Sequence, residues 1–160
     1  EVYVSNYFEI NKEKLNKSSM IVFSPGPGKP EDYPKSISIY RKFKGKKKML
    51  GICLGFQQIL FSEKGQIVQQ KNIYHGFQSK IKVLSTSLLY KKNNFMMVGR
   101  YHSLGLKEPL YSNDIKITMR CNATNVAMAA PIIPYSGISQ MFKPIFKVNA
   151  PIVFHNTSFV

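Results

Sequence analysis

Acidic residues, arginine, cysteine and long apolar runs are all scarce in these 160 residues, and each scarcity excludes something. Two cysteines, Cys53 and Cys121, cannot staple a chain of this length into a disulfide framework, so a reducing, cytoplasmic setting is the expectation. No apolar run approaches the roughly 18 residues of a membrane span. The opening residues carry no charged-then-apolar leader pattern, and no membrane partner is expected. Only 8 Asp and Glu stand against 23 Lys and Arg, a formal net charge of +15. Such an excess first suggests a polyanion. Guanidinium groups, however, are limited to Arg41, Arg100 and Arg120, and base and phosphate recognition leans on that planar, bidentate group. The lysines travel with Asn, Ile and Tyr, as in Lys91-Lys92-Asn93-Asn94. The densest cluster, Lys42-Phe43-Lys44-Gly45-Lys46-Lys47-Lys48, lies between a helix candidate and an apolar strand. The charge therefore reads as solvated surface, with no nucleic-acid partner expected. What is present is a 44% hydrophobic, 12% aromatic composition, enough for one core and a single domain over residues 1–160.

The apolar pattern sets the order of elements. Glu1 to Val4 alternates and is expected to be a short strand, and Asn11 to Lys17 a loop or short helix. Ser19 to Phe23 is a continuous apolar run, the pattern of a buried strand, stopped by Ser24-Pro25-Gly26-Pro27-Gly28. Tyr33 to Phe43 carries spaced apolar residues and predicts a helix. Met49 to Ile52 reads as a second buried strand, and Leu54 to Glu63 as a helix closed by Lys64-Gly65. Beyond it come short alternating segments at 66–70, 80–84, 95–98, 115–120 and 126–130, read as strands. Strand-helix-strand-helix followed by strands predicts an α/β domain, a mixed but mostly parallel open sheet with flanking helices.

One stretch carries chemistry: Gly51-Ile52-Cys53-Leu54-Gly55-Phe56-Gln57. A nucleophile between a buried strand and a helix, with Gly two residues to either side, is an elbow pattern. Only residues without side chains let strand and helix approach closely enough around such a strained turn. The helix start behind Cys53 is expected to favour thiolate and to offer N–H groups to an oxyanion. A lone Cys in an apolar strand is ordinarily an inert core residue, and the double-Gly frame is what sets this one apart. The Pro-Gly-Pro-Gly loop also follows an apolar strand. By itself it is a tight turn, but loops at the carboxyl ends of neighbouring strands gather at one crevice.

Ser-Pro-Gly-Pro-Gly, then Gly-Ile-Cys-Leu-Gly-Phe-Gln, then His75-Gly76, then Val98-Gly99-Arg100-Tyr101-His102-Ser103-Leu104 together resemble the class I glutamine amidotransferases. Within that family the chain is most like the small subunit of anthranilate synthase or aminodeoxychorismate synthase, over about residues 19 to 130. The resemblance implies a flavodoxin-like sheet in which Cys53 attacks the side-chain amide of L-glutamine, forms a glutamyl thioester and releases ammonia. It implies oxyanion N–H groups at Gly28 and Leu54. Gly26, Pro27, Gly28, Gln57, Ser103 and Leu104 would hold the glutamine. His75 and His102 belong to the fold and the partner-facing surface in that pattern. The implied partner is a larger chorismate-binding synthase subunit, and neither a metal nor an organic cofactor is called for.

Two departures from the family pattern stand out. The family begins with a strand and an Asp-Ser-Phe-Thr-like segment, which this sequence does not contain, so the sheet is expected to lack its first strand. The family ends with Phe-His-Pro-Glu-Ser, whose His is the general base and whose Glu orients it. Here Phe154-His155-Asn156-Thr157-Ser158 keeps Phe, His and Ser but has Thr157 for Glu. By spacing, Phe142-Lys143-Pro144-Ile145-Phe146 is the alternative, with Lys for His. His155 is taken as the base, within a tail that is aberrant from about residue 131. Thr157 can accept an imidazole hydrogen bond but cannot balance an imidazolium, so both alternatives imply weakened catalysis. A domain that has lost turnover and only binds its partner is the rival expectation.

Overall fold

The apolar run at 19–23 forms β1 (Met20–Phe23), which pairs in parallel with β2 (Lys48–Gly51), from Met20 opposite Lys48 to Phe23 opposite Gly51. This is a computed structural model, and it describes residues 1–87 and 90–130. Ahead of β1 lies α1 (Lys12–Lys17), whose N-cap Asn11 side chain accepts a hydrogen bond from the Lys14 N–H. Between the two strands runs α2 (Pro34–Phe43), with Pro at its first position, where a missing N–H costs no helical bond. Its Ile37, Tyr40 and Phe43 recur at helical spacing and are buried. The helix α3 (Leu54–Ser62) follows β2 directly and buries Leu54, Ile59 and Leu60.

The remaining strands are antiparallel. β3 (Gln66–Val83) and β4 (Phe95–Lys107) pair along most of their length, and β5 (Met119–Cys121) and β6 (Ala127–Ala129) extend the sheet in the order β4-β3-β5-β6. A core of Ile21, Phe23, Tyr40, Phe43, Ile59, Leu60, Leu106, Ile115 and Ala127 joins the parallel pair, both long helices and this second sheet. Each of the large members contributes about 1.5–3 kcal/mol by leaving water.

The expected mostly parallel sheet is thus corrected to a parallel pair beside an antiparallel sheet of four strands. The reason is the connections. A parallel return needs a crossover of a dozen or more residues, usually a helix, and no helix lies beyond Ser62 among the described residues. The segments at 66–70 and 80–84 are also one strand, not two. Its register shifts between Gln69 and Tyr74 and between His75 and Phe77, where Gly76 has φ +77°. Such bulges bend a long ribbon without ending it. Glu1 to Val4, expected as a strand, makes none. Val2 and Val4 are 90% and 86% exposed. Among the described residues β1 has β2 as its only strand neighbour, and Val22 is 52% exposed although its run reads as buried.

Candidate active site

Cys53 occupies the joint between β2 and α3, as the N-cap of that helix, with φ +55° and ψ −110°. A non-glycine residue held there stores about 1–3 kcal/mol of strain, and such strain persists only where the surroundings over-determine it. The two glycines are what over-determine it. A Cβ on Gly51 would sit 2.5 Å from the Gly55 carbonyl oxygen. A Cβ on Gly55 would overlap the Phe23 carbonyl of β1 outright. The strand and helix therefore touch backbone to backbone, and the turn between them has nowhere else to go.

The thiol is half-buried. Burial pushes its pKa above the ordinary thiol value, and the Leu54 N–H, which hydrogen-bonds the sulfur, offsets only part of that rise. This corrects the expectation that the helix start favours thiolate: desolvation outweighs the helix terminus, and the resting group is the neutral thiol.

The Pro-Gly-Pro-Gly loop comes up against the same joint. A Cβ on Gly26 would lie 3.0 Å from Leu54 Cδ2, so the loop packs on the residue that follows Cys53. Two side chains brace it. The Tyr33 hydroxyl donates to the Pro27 carbonyl at 2.9 Å, and Asp32 accepts from the Lys29 N–H at 2.9 Å. Gly28 adopts φ +75°, and a side chain there would strike the Asp32 carboxylate. Sequence reasoning passed over Asp32 and Tyr33. The available signal was their place just before a helix, three and four residues after the Lys that ends the loop.

Gln57, one turn into α3, is 7% exposed, and its Nε2 donates to the Leu104 carbonyl of β4 at 3.3 Å. Gln57, His102 and Leu104 share the wall of a small cavity with Phe56, Val126 and Met128. Ser103 is half-buried in the same stretch of β4. The structure therefore brings Cys53, Leu54 and Gly26 together at the mouth of α3, and ties Gln57 to the Ser103-Leu104 segment. Pro27 and Gly28 lie in the braced loop. His155 lies outside the described residues, as do Lys143 and Thr157. His75 is exposed beside the Tyr101 ring. His102 is held below its ordinary pKa first by burial and then by the Arg100 guanidinium.

A strained cysteine framed by two glycines, beside a stiff glycine loop, is the geometry of a thiol nucleophile with backbone donors. The family model for glutamine amidotransferase class-I matches residues 2–138. The chain belongs to that family. Among curated proteins it is 36% identical over 120 residues to the "Bifunctional protein TrpGD" of Thermotoga maritima, covering 75% of this chain and 20% of that one. It is 36% identical over 103 residues to the "Anthranilate synthase component 2" of Lactococcus lactis, covering 64% and 52%. It is 32% identical over 120 residues to the protein of the same name from Pseudomonas aeruginosa, covering 74% and 60%. The chain thus spans little more than half of the length of those two relatives and a fifth of the bifunctional one. A crystal structure of a glutamine amido transferase from Methylobacillus flagellatus superposes with TM-score 0.66 at 13% identity, over 78% of this chain and 51% of that one. One of a glutamine amidotransferase from Thermotoga maritima gives 0.61 at 16%, over 78% and 59%. These two likenesses show the fold.

Proposed function

We propose that this domain hydrolyses the side-chain amide of L-glutamine through a Cys53 thioester. It delivers the ammonia to a larger, chorismate-binding synthase subunit that makes a precursor of tryptophan or of folate. The observation that carries this reading is the backbone of Cys53, strained at φ +55° between two glycines that tolerate no side chain. In the proposed reaction a base takes the Sγ proton as sulfur bonds the amide carbon, and the carbonyl electrons move onto oxygen. The Leu54 and Gly28 N–H groups are the donors assigned to that oxyanion. The C–N bond then breaks, and the nitrogen leaves as ammonia with the proton returned by the base. Water cleaves the thioester to glutamate and regenerates the thiol. Gly26, Pro27, Gln57, Ser103 and Leu104 are assigned to holding the glutamine. His155 is assigned the role of base. Because burial keeps the resting thiol neutral, that base has to accept the thiol proton.

The names of the relatives, anthranilate synthase component 2 and TrpGD, favour the tryptophan route over the folate one. The experiment is ammonia release from glutamine, alone and with a synthase large subunit, by the intact chain and by Cys53→Ser. Turnover surviving in Cys53→Ser sinks the assignment. The rival reading, a partner-binding domain without turnover, is favoured by Thr157 standing where the family has Glu. A diazoketone analogue of glutamine separates the two: labelling at Cys53 supports the enzyme, and a folded chain left unlabelled supports the rival.

A further inference from the structure

Arg100 is fully buried, at 0% exposure, in a chain with almost no acids to spare. Its guanidinium stacks on the Tyr74 ring, 4.0 Å from the centroid. Nη1 donates to the Thr124 hydroxyl at 3.1 Å and to Cys121 Sγ at 3.5 Å, while Nε and Nη2 have no hydrogen-bond partner among the described residues. A guanidinium cannot shed its proton, so burial obliges it to find a counter-charge nearby.

No carboxylate side chain fills that role. All eight Asp and Glu of the sequence fall within residues 1–114 and are described. Glu13 pairs with Lys17, Glu63 and Asp114 share Lys44, and Glu108 pairs with Arg120. Asp32 braces the glycine loop, and Glu1, Glu9 and Glu31 are exposed. Among the described residues, the anionisable side chain in hydrogen-bond contact with the guanidinium is the thiol of Cys121, itself 1% exposed.

We propose that Arg100 and Cys121 form a buried guanidinium–thiolate pair that fixes β4 to the β5–β6 turn, immediately upstream of Ser103-Leu104. The turn is built for an anion. The Cys121 N–H is bound to the Val126 carbonyl and the Asn125 N–H to the Cys121 carbonyl, which folds 122–125 back over the sulfur. Burial alone pushes the Cys121 thiol up, but the Thr124 hydroxyl, the Thr124 and Ala123 N–H groups and the Arg100 guanidinium outweigh it and hold it below its ordinary value. Among the described residues, titratable groups around the pair include Tyr74 on β3, His102 on β4, whose pKa is lowered by burial first and by Arg100 second, and Arg120 on β5, which is occupied by Glu108. The fold thus shifts the two cysteines in opposite directions, the elbow thiol of Cys53 up by burial and Cys121 in the second sheet down by its hydrogen bonds and Arg100.

The test is the ultraviolet thiolate absorbance of the full chain carrying Cys53→Ser, followed against pH. Cys121 is expected to ionise below the ordinary thiol value. Adding Arg100→Met raises that midpoint. A midpoint at or above the ordinary value in the Cys53→Ser chain overturns the proposal, whether or not the Arg100 variant folds. Substituting Cys121 itself gives an independent check: at neutral pH Cys121→Asp, which keeps an anion, melts higher than the neutral Cys121→Val. The reverse order marks a packing role and overturns the pair. On the glutamine reading, Cys121→Val also raises KM about tenfold with little change in kcat. Loss of all turnover in the unmodified chain counts against that reading and leaves the titration to decide the pair.

Discussion

The two halves of this domain use burial for opposite ends. In the front half, through α3, burial is backbone against backbone: Gly55 lies on the Phe23 carbonyl, and the resulting strain sets Cys53 at the joint as a neutral thiol. In the back half, from β3 on, burial encloses charge. Arg100 lies at 0% exposure between the Tyr74 ring and Cys121. Close approach without side chains fixes the backbone of Cys53, whereas the enclosed guanidinium reaches from β4 to Thr124 and Cys121. Gln57 joins the halves, reaching from α3 to the Leu104 carbonyl.

The largest expected effect breaks the front half. Cys53→Ser lowers ammonia release by a thousandfold or more, since a triad-type nucleophile acts as a unit with its base. Gly55→Ala comes next. Its methyl group meets the Phe23 carbonyl with no room to shift, and urea denaturation is expected to register a loss of about 3 kcal/mol or more. Cys53→Gly moves stability the other way, by about 1 kcal/mol, because glycine relieves the positive φ while removing the thiol.

Smaller effects test the seam between the halves. Glu63, whose side chain is 10% exposed, takes Lys44 Nζ at 2.5 Å, the Tyr40 hydroxyl at 2.9 Å and the Ser112 hydroxyl at 3.1 Å. Glu63→Gln leaves a half-buried ammonium with Asp114 alone and is expected to cost about 1–3 kcal/mol by thermal unfolding. Gln57→Leu keeps the volume and removes the link to Leu104, so stability falls by about 1 kcal/mol or less while KM for glutamine rises.

The pH dependence separates the halves by sign. Cys53 is raised in the fold, so its contribution to stability is complete below the ordinary thiol value and is lost as pH rises through the folded one. Alkylation of Cys53 by iodoacetamide is accordingly expected to accelerate with a midpoint above about 8.5. Cys121 is lowered, so its contribution is complete above the ordinary value and is lost as pH falls through the folded one. His102, also lowered, makes the fold less stable as pH falls below about 6.5. Unfolding curves of Cys53→Ser and Cys121→Val at pH 6 and pH 9 are expected to diverge in opposite directions.

Much of the front half was legible from residue types alone. An unbroken run at 19–23, helical spacing at Ile37, Tyr40 and Phe43, and glycines two residues to either side of Cys53 each leave few alternatives. Steric exclusion acts over a few residues, so sequence records it locally. The second sheet was less legible. Its strand direction depends on whether a helix intervenes, and its bulges around His75 and Gly76 leave the alternation of β3 irregular. The segment at 1–4 alternates like a strand and pairs with nothing, since pairing is decided by a neighbour and not by propensity.

Residue order by itself determined the elbow at Cys53, the stiff loop before it and the family to which both belong, because contacts between near neighbours and the absence of a Cβ are written in the chain. Tertiary structure alone decided the antiparallel second sheet, the neutral state of Cys53 and the meeting of Arg100 with Cys121. Those depend on solvent exclusion and on partners from other elements of the fold, as with Arg100 and Cys121, 21 residues apart, which no local pattern encodes.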